Sequence, residues 1–179
     1  AVDLLERLNA NRYKHASCEL IHHPLIVYVA KLKKPMNMST GMASIDENEE
    51  AVNDAFSNGC EDLTLLQCVS EYPAPIEHTN LMTMLDLKKR FPHCKVGLSD
   101  HTLGITASVV AVALGATVIE KHFTLSRAEG GVDAAFSLEP KELQELCETT
   151  KNAALSLGKV NYSRASAEQK NMMFRRSIY

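Results

Sequence analysis

The sequence carries no marked excess of either charge: 19 Lys and Arg stand against 22 Asp and Glu, a formal net charge of -3 over 179 residues. That balance gives no reason to expect a nucleic acid or other polyanion as partner, and a small molecule is expected instead. A long apolar run is also lacking. The best stretch, residues 105–116, is interrupted by Thr, Ser and Gly and falls far short of the ~20 residues of a membrane span, so no membrane partner is expected. The five cysteines, Cys18, Cys60, Cys68, Cys94 and Cys147, are an odd number without CxxC spacing, which argues against a disulfide framework and a structural zinc site. They read as reduced, mostly buried thiols of a cytoplasmic protein. No charged-then-apolar leader opens the chain, which begins without Met in the amphipathic pattern Val2, Leu4, Leu5, Leu8, as a segment inside a longer unit would. No GxGxxG or GxxxxGK[ST] loop follows any apolar run, so the usual reason for an open nucleotide-binding sheet is absent.

What is present is a repeating alternation. The 45% hydrophobic fraction is ordinary for a globular protein, and a chain of this length buries a sizeable core. Strand-like runs are expected at 13–17, 35–40, 63–69, 95–98 and 117–121, each followed by a helix or by a loop and a helix. The helices are expected near 25–32, from the acidic turn at 46–50 to Asn58-Gly59, at 80–90, at 104–115 and at 140–158. Such spacing implies a parallel sheet with right-handed crossovers. Polar residues cluster after every strand: Lys14 and Ser17; Ser39 and Thr40; Ser70 and Tyr72; Ser99, Asp100 and His101; Glu120, Lys121 and His122. In a (β/α)8 barrel these ends converge on one mouth, where the chemistry of such enzymes lies. The expected fold is therefore α/β, a partial TIM barrel comprising about the last five βα units, since a complete barrel needs about 250 residues. Three units are expected to precede Ala1.

His101 and His122 close successive strands, which lie ~4.8 Å apart, so both imidazoles can reach one divalent ion. The plain alternative is a pair of hydrogen-bonded histidines in a polar pocket. The flanking acids Asp100 and Glu120 favour the metal reading as groups that orient each imidazole. Two His ligands without thiolate leave positions for water or substrate oxygens, which suits Mn2+ or Mg2+. Lys14, Ser17, Ser39, Thr40 and Ser99 offer a cation and small donors to a phosphorylated or carboxylated substrate, although a strand-end Ser or Thr also serves as a helix cap. His15 alternates onto the face opposite Lys14, where it has no evident chemical role.

The motifs Ser99-Asp100-His101-Thr102-Leu103-Gly104 and Glu120-Lys121-His122-Phe123-Thr124-Leu125 strongly resemble the barrel domain of the N-acetylneuraminate synthase family. Tyr13-Lys14-His15-Ala16-Ser17, Ser39-Thr40-Gly41-Met42, Tyr72-Pro73-Ala74-Pro75 and Phe136-Ser137-Leu138-Glu139-Pro140 are similar to further family motifs in the same order. The resemblance implies a metal-dependent transferase in which C3 of phosphoenolpyruvate attacks the aldehyde of an N-acetylated aminosugar. It implies His101 and His122 as metal ligands, Lys14, Ser17, Ser39 and Ser99 at phosphoenolpyruvate, Ser70, Tyr72 and Asp133 toward the sugar, and Glu120 for proton handling or substrate orientation. Residues 1–158 would be the C-terminal part of the catalytic barrel and 159–179 a linker toward an antifreeze-like domain, in a homodimeric parent enzyme. Ser70 and residues 130–137 look more like the pseudaminate branch. His15, Asn37 and Gln67 depart from the family pattern. Two other readings remain: a non-catalytic fragment whose open strand edges bind another chain, and a metal-dependent barrel hydrolase or aldolase that uses no phosphoenolpyruvate.

Overall fold

Ser44 accepts a hydrogen bond from Glu47 N at 3.3 Å while the Glu47 carboxylate takes one from Ser44 N at 2.7 Å, and this reciprocal cap starts one of the main helices. The computed structural model describes residues 1–175, so 176–179 of the expected linker lie outside the described residues. In chain order the elements are α1 (Val2–Arg7), β1 (Tyr13–His15), α2 (His23–Ala30), β2 (Met36–Ser39), α3 (Ile45–Ser57), β3 (Leu63–Cys68), α4 (Met82–Arg90), β4 (Lys95–Asp100), α5 (Thr106–Ala113), β5 (Val118–Lys121), α6 (Pro140–Leu157) and α7 (Ser166–Gln169). All five strands are parallel and ordered β1-β2-β3-β4-β5, curled into a half-barrel with helices outside it. β1 and β5 are its edges.

Every expected strand and main helix is present with shifted ends: β4 runs on to Asp100, α2 and α3 begin at His23 and Ile45, and the other elements are as long as expected or shorter. The first strand stops at His15, because Ser17 begins a 3-10 turn (Ser17–Glu19) that carries the chain toward α2. The helix expected over 104–115 is confined to Thr106–Ala113, since Gly104 and Gly115 adopt φ of 72° and 98°, outside helical geometry. α4 begins at Met82 after Asn80 turns left-handed at φ 43°.

Strand pleat sorts the side chains into two layers. The register Tyr13↔Met36↔Leu63 and Leu65↔Val96 puts Tyr13, Met36, Met38, Leu63, Leu65, Val96 and Leu98 against Ile26, Val29, Ala51, Val52, Met84, Leu87 and Ala107 of the helices. The alternate residues, Lys14, Ser39, Leu66, Cys68, Ser99 and Glu120, line the concave side. Gly97 lies there too, and a Cβ on it would sit 2.3 Å from Val118 O and 2.7 Å from Leu66 Cδ2. Leu66 thus lies across β4 and is fully buried on the concave side of the sheet.

The three polar departures in the strands behave differently. Asn37 Oδ1 accepts from Arg12 Nη1 at 2.8 Å, and Gln67 Nε2 donates to Thr79 O at 3.2 Å. His15 is 2% exposed, and neither ring nitrogen has a hydrogen-bond partner among the described residues. Burial therefore holds its pKa below the ordinary 6.5, with Glu19 opposing and Lys14 and His22 adding to the depression. The unfolded chain accepts this proton from about pH 6.5 downward and the folded chain does not, so stability is present above that pH and falls as the solution is acidified. Replacing His15 by Leu should stabilise the fold by about 1 kcal/mol near neutrality, because an unsatisfied buried polar group is removed. The gain should widen between pH 7.5 and 5.5. Urea midpoints at both pH values check this, and a gain that shrinks on acidification would contradict the assignment.

Candidate active site

Ser99 pairs with Glu120 and Asp100 with Lys121, so the two strand ends present their triplets side by side, 99–101 beside 120–122. Ser99 Oγ donates to Glu120 Oε1 at 2.8 Å. Lys14, on the opposite edge of the sheet, brings Nζ to 3.5 Å from the same oxygen and donates to His15 O at 2.8 Å. The first and last strands thus meet across the concave side through one ion pair. Ser99, His101, Glu120, Lys121 and His122 line an open cleft of about 200 Å3 at that point.

The imidazoles of His101 and His122 face each other with ring centroids 5.3 Å apart. His101 Nδ1 lies 2.7 Å from Val69 O, and since a carbonyl only accepts, that nitrogen carries hydrogen and leaves Nε2 as the lone-pair donor of the neutral ring. A ring nitrogen held by a carbonyl in this way is the usual means of orienting a metal-bound histidine. His122 Nδ1 lies 3.6 Å from Asp133 Oδ2, an ion-pair distance beyond hydrogen-bond reach. Among the described residues no cluster of three or more His, Cys, Asp or Glu converges as a metal site, so these two imidazoles would need oxygen ligands from water, substrate or another part of the protein. Burial opposes the charged form of both rings. For His101 the Cys68 thiol and the Val69 carbonyl outweigh it and raise the pKa; for His122 burial and the neighbouring His101 lower it.

The hydroxyls of Ser17 and Ser39 are buried without a hydrogen-bond partner among the described residues. A Cβ added to Gly41 would lie 2.7 Å from Ser17 Oγ and 2.9 Å from Ser70 Oγ, so those two groups converge where only a glycine fits. Tyr72 stacks on His101 with centroids 4.2 Å apart and remains half exposed. Lys14, Ser17, Ser39, Ser70, Tyr72, Ser99, His101, Glu120 and His122 therefore lie on or beside the strand ends of the half-barrel, whereas His15 and Asp100 face the other layer.

One expectation is corrected. The acids that precede the histidines do not hydrogen-bond to either imidazole: strand alternation turns Asp100 behind His101, where its Oδ1 accepts from Thr102 N and Oγ1 and its Oδ2 from Ser108 Oγ. Glu120 is engaged by Ser99 and Lys14. Two site residues were not foreseen. Cys68, read as a buried thiol, has Sγ 4.0 Å from His101 Nδ1; burial works against its thiolate, and the neighbouring His101 imidazole helps pull the pKa down. Phe136 packs edge-on against His122 at 5.1 Å and lies 5.6 Å from Tyr72. Apolar Leu65 and Leu66 mask the row to which Cys68 belongs, and nothing in the sequence brings Phe136 back to the strand ends.

Residues 1–162 match the model of the NeuB family. The chain is 45% identical over 174 residues to the N,N'-diacetyllegionaminic acid synthase of Campylobacter jejuni, covering 96% of this chain and 52% of that protein. It is 40% identical over 158 residues to the pseudaminic acid synthase of Helicobacter pylori, covering 88% and 46%. The solved structure of N-acetylneuraminic acid synthetase from Leptospira borgpetersenii, in complex with citrate, superposes with a TM-score of 0.87 at 33% identity, over 97% of this chain and 60% of that one. The chain spans about half the length of the curated relatives it matches. With the whole half-barrel and its strand-end motifs inside the matched region, the chain belongs to the NeuB family.

Proposed function

We propose that the full-length protein condenses phosphoenolpyruvate with the open-chain aldehyde of an N-acetylated aminosugar, giving a nonulosonic acid and phosphate. The observation that carries this reading is the pair of buried hydroxyls without partners among the described residues, on Ser17, which follows the strand that carries Lys14, and on Ser39, which closes the neighbouring strand, a donor set suited to an anion. Lys14, Ser17, Ser39 and Ser99 bind phosphoenolpyruvate, and Ser70, Tyr72 and Asp133 face the sugar. C3 of phosphoenolpyruvate forms the new carbon–carbon bond, the aldehyde oxygen takes up a proton, water adds at C2, and the C2–O bond to phosphate breaks to leave the keto acid. Glu120, held between Ser99 Oγ and Lys14 Nζ, moves the proton of that water. His101 and His122 fit a divalent ion, Mn2+ or Mg2+, which when bound supplies Lewis-acid polarisation of the aldehyde.

The sugar is assigned to the pseudaminic type from Ser70 and residues 130–137; relatives named for two different acids match at 45% and 40%, so overall identity does not select it. Full-length protein supplied with phosphoenolpyruvate, Mn2+ and each candidate N-acetylated sugar should yield a 2-keto-3-deoxy acid detectable with thiobarbiturate, with equal phosphate release. Sugar consumption that needs no phosphoenolpyruvate would point to a hydrolase or aldolase instead. Lys14→Met should raise KM for phosphoenolpyruvate by about 10-fold or more, the value of a charge-assisted hydrogen bond, and leave KM for the sugar nearly unchanged. Equal effects on both would remove the Lys14 assignment.

A further inference from the structure

Behind the two imidazoles lies a buried ion pair that the proposed chemistry does not use. Lys121 Nζ is 3.0 Å from Asp100 Oδ2, with the side chains 3% and 0% exposed, and it also donates to Thr102 O at 2.6 Å. Asp100 precedes His101, Thr102 follows it, and Lys121 precedes His122. One ammonium therefore grips both neighbours of the first histidine from the residue adjoining the second. The far side is fixed too: Ser108 Oγ, on α5, donates to Asp100 Oδ2 at 2.6 Å, and Ala74 N donates to His101 O at 2.9 Å. Burying both charges is costly unless their geometry and remaining hydrogen bonds are well satisfied, as they are here. Such a pair adds little net stability over apolar side chains of the same size, so its use lies in what it positions.

We propose that Asp100 and Lys121 are positioning residues that set the separation and orientation of His101 and His122 for a divalent cation. The inference rests on the reading of those histidines as metal ligands. Mn2+ alone serves as probe, titrated into the full-length protein and followed by the electron paramagnetic resonance signal of the free ion, with no substrate present. The double variant Asp100→Asn/Lys121→Met removes both charges while keeping the side-chain volumes. It should melt with the wild type, yet bind Mn2+ about 10- to 100-fold more weakly, the range seen when groups that orient metal ligands are removed. His101→Ala, measured alongside, should abolish tight binding. Wild-type Mn2+ affinity in the folded double variant would overturn the positioning role while leaving the histidine site intact; unchanged affinity in His101→Ala would instead remove the metal reading itself. Should the double variant not fold, Ser108→Ala and Thr102→Val each withdraw one hydroxyl from Asp100 and keep the ion pair. Several-fold weaker binding in both supports the proposal, and wild-type affinity in both overturns it.

Discussion

The 179-residue chain by itself is expected to release no phosphate from phosphoenolpyruvate above background, with Mn2+ and any N-acetylated aminosugar present, although it carries both imidazoles and the serines and lysine proposed to hold the anion. The reason is geometric. Its concave side is bounded by two open strand edges, β1 and β5, which the contact of Lys14 with Glu120 ties across the cleft. That side-chain pair is about one-third exposed, and exposed pairs of this kind contribute little rigidity. Displacing a catalytic group by ~1 Å can cost on the order of 100-fold in rate, and here several groups would shift together. Phosphate release and keto-acid formation, followed in parallel with the full-length protein, test this. Turnover approaching that of the full-length protein would show that five strands suffice.

In the full-length protein, His101→Ala and His122→Ala should each lower Mn2+-dependent turnover by about 100-fold or more, since the polarisation a bound metal supplies to a carbonyl is worth several kcal/mol. Neither ring is part of the hydrophobic core between sheet and helices, so thermal melting should change little. The comparison requires chelation and then graded addition of Mn2+, with melting followed on the same samples. Activity within a few-fold of wild type in either variant, with metal saturating, would exclude the two-histidine site.

Much of this architecture was legible in the sequence because strand ends in a parallel barrel collect their polar residues on one side, and the alternation of apolar runs marks where each strand ends. Ser99, His101, Glu120 and His122 could be placed at one mouth from spacing alone. The direction each side chain takes within a triplet was less accessible. Asp100 adjoins a histidine in the chain yet points to the opposite layer, and its partner Lys121 becomes apparent only from the register that pairs the two. Cys68 was hidden because β3 is buried throughout its length, so its apolar neighbours on both faces mask the polar concave row. His15, by contrast, was recognised as out of place, and its ring nitrogens find no partner among the described residues.

The close approach at Gly97 sets the depth of the concave side. Because that position has no side chain, Leu66 occupies the space in which a Cβ would stand, one row below Cys68, Ser99 and Glu120. Leu66 is fully buried, so a group resting against Ser99 and Glu120 meets an apolar floor at that level and can sink no further. Any side chain larger than hydrogen at residue 97 would push that floor toward the row above it.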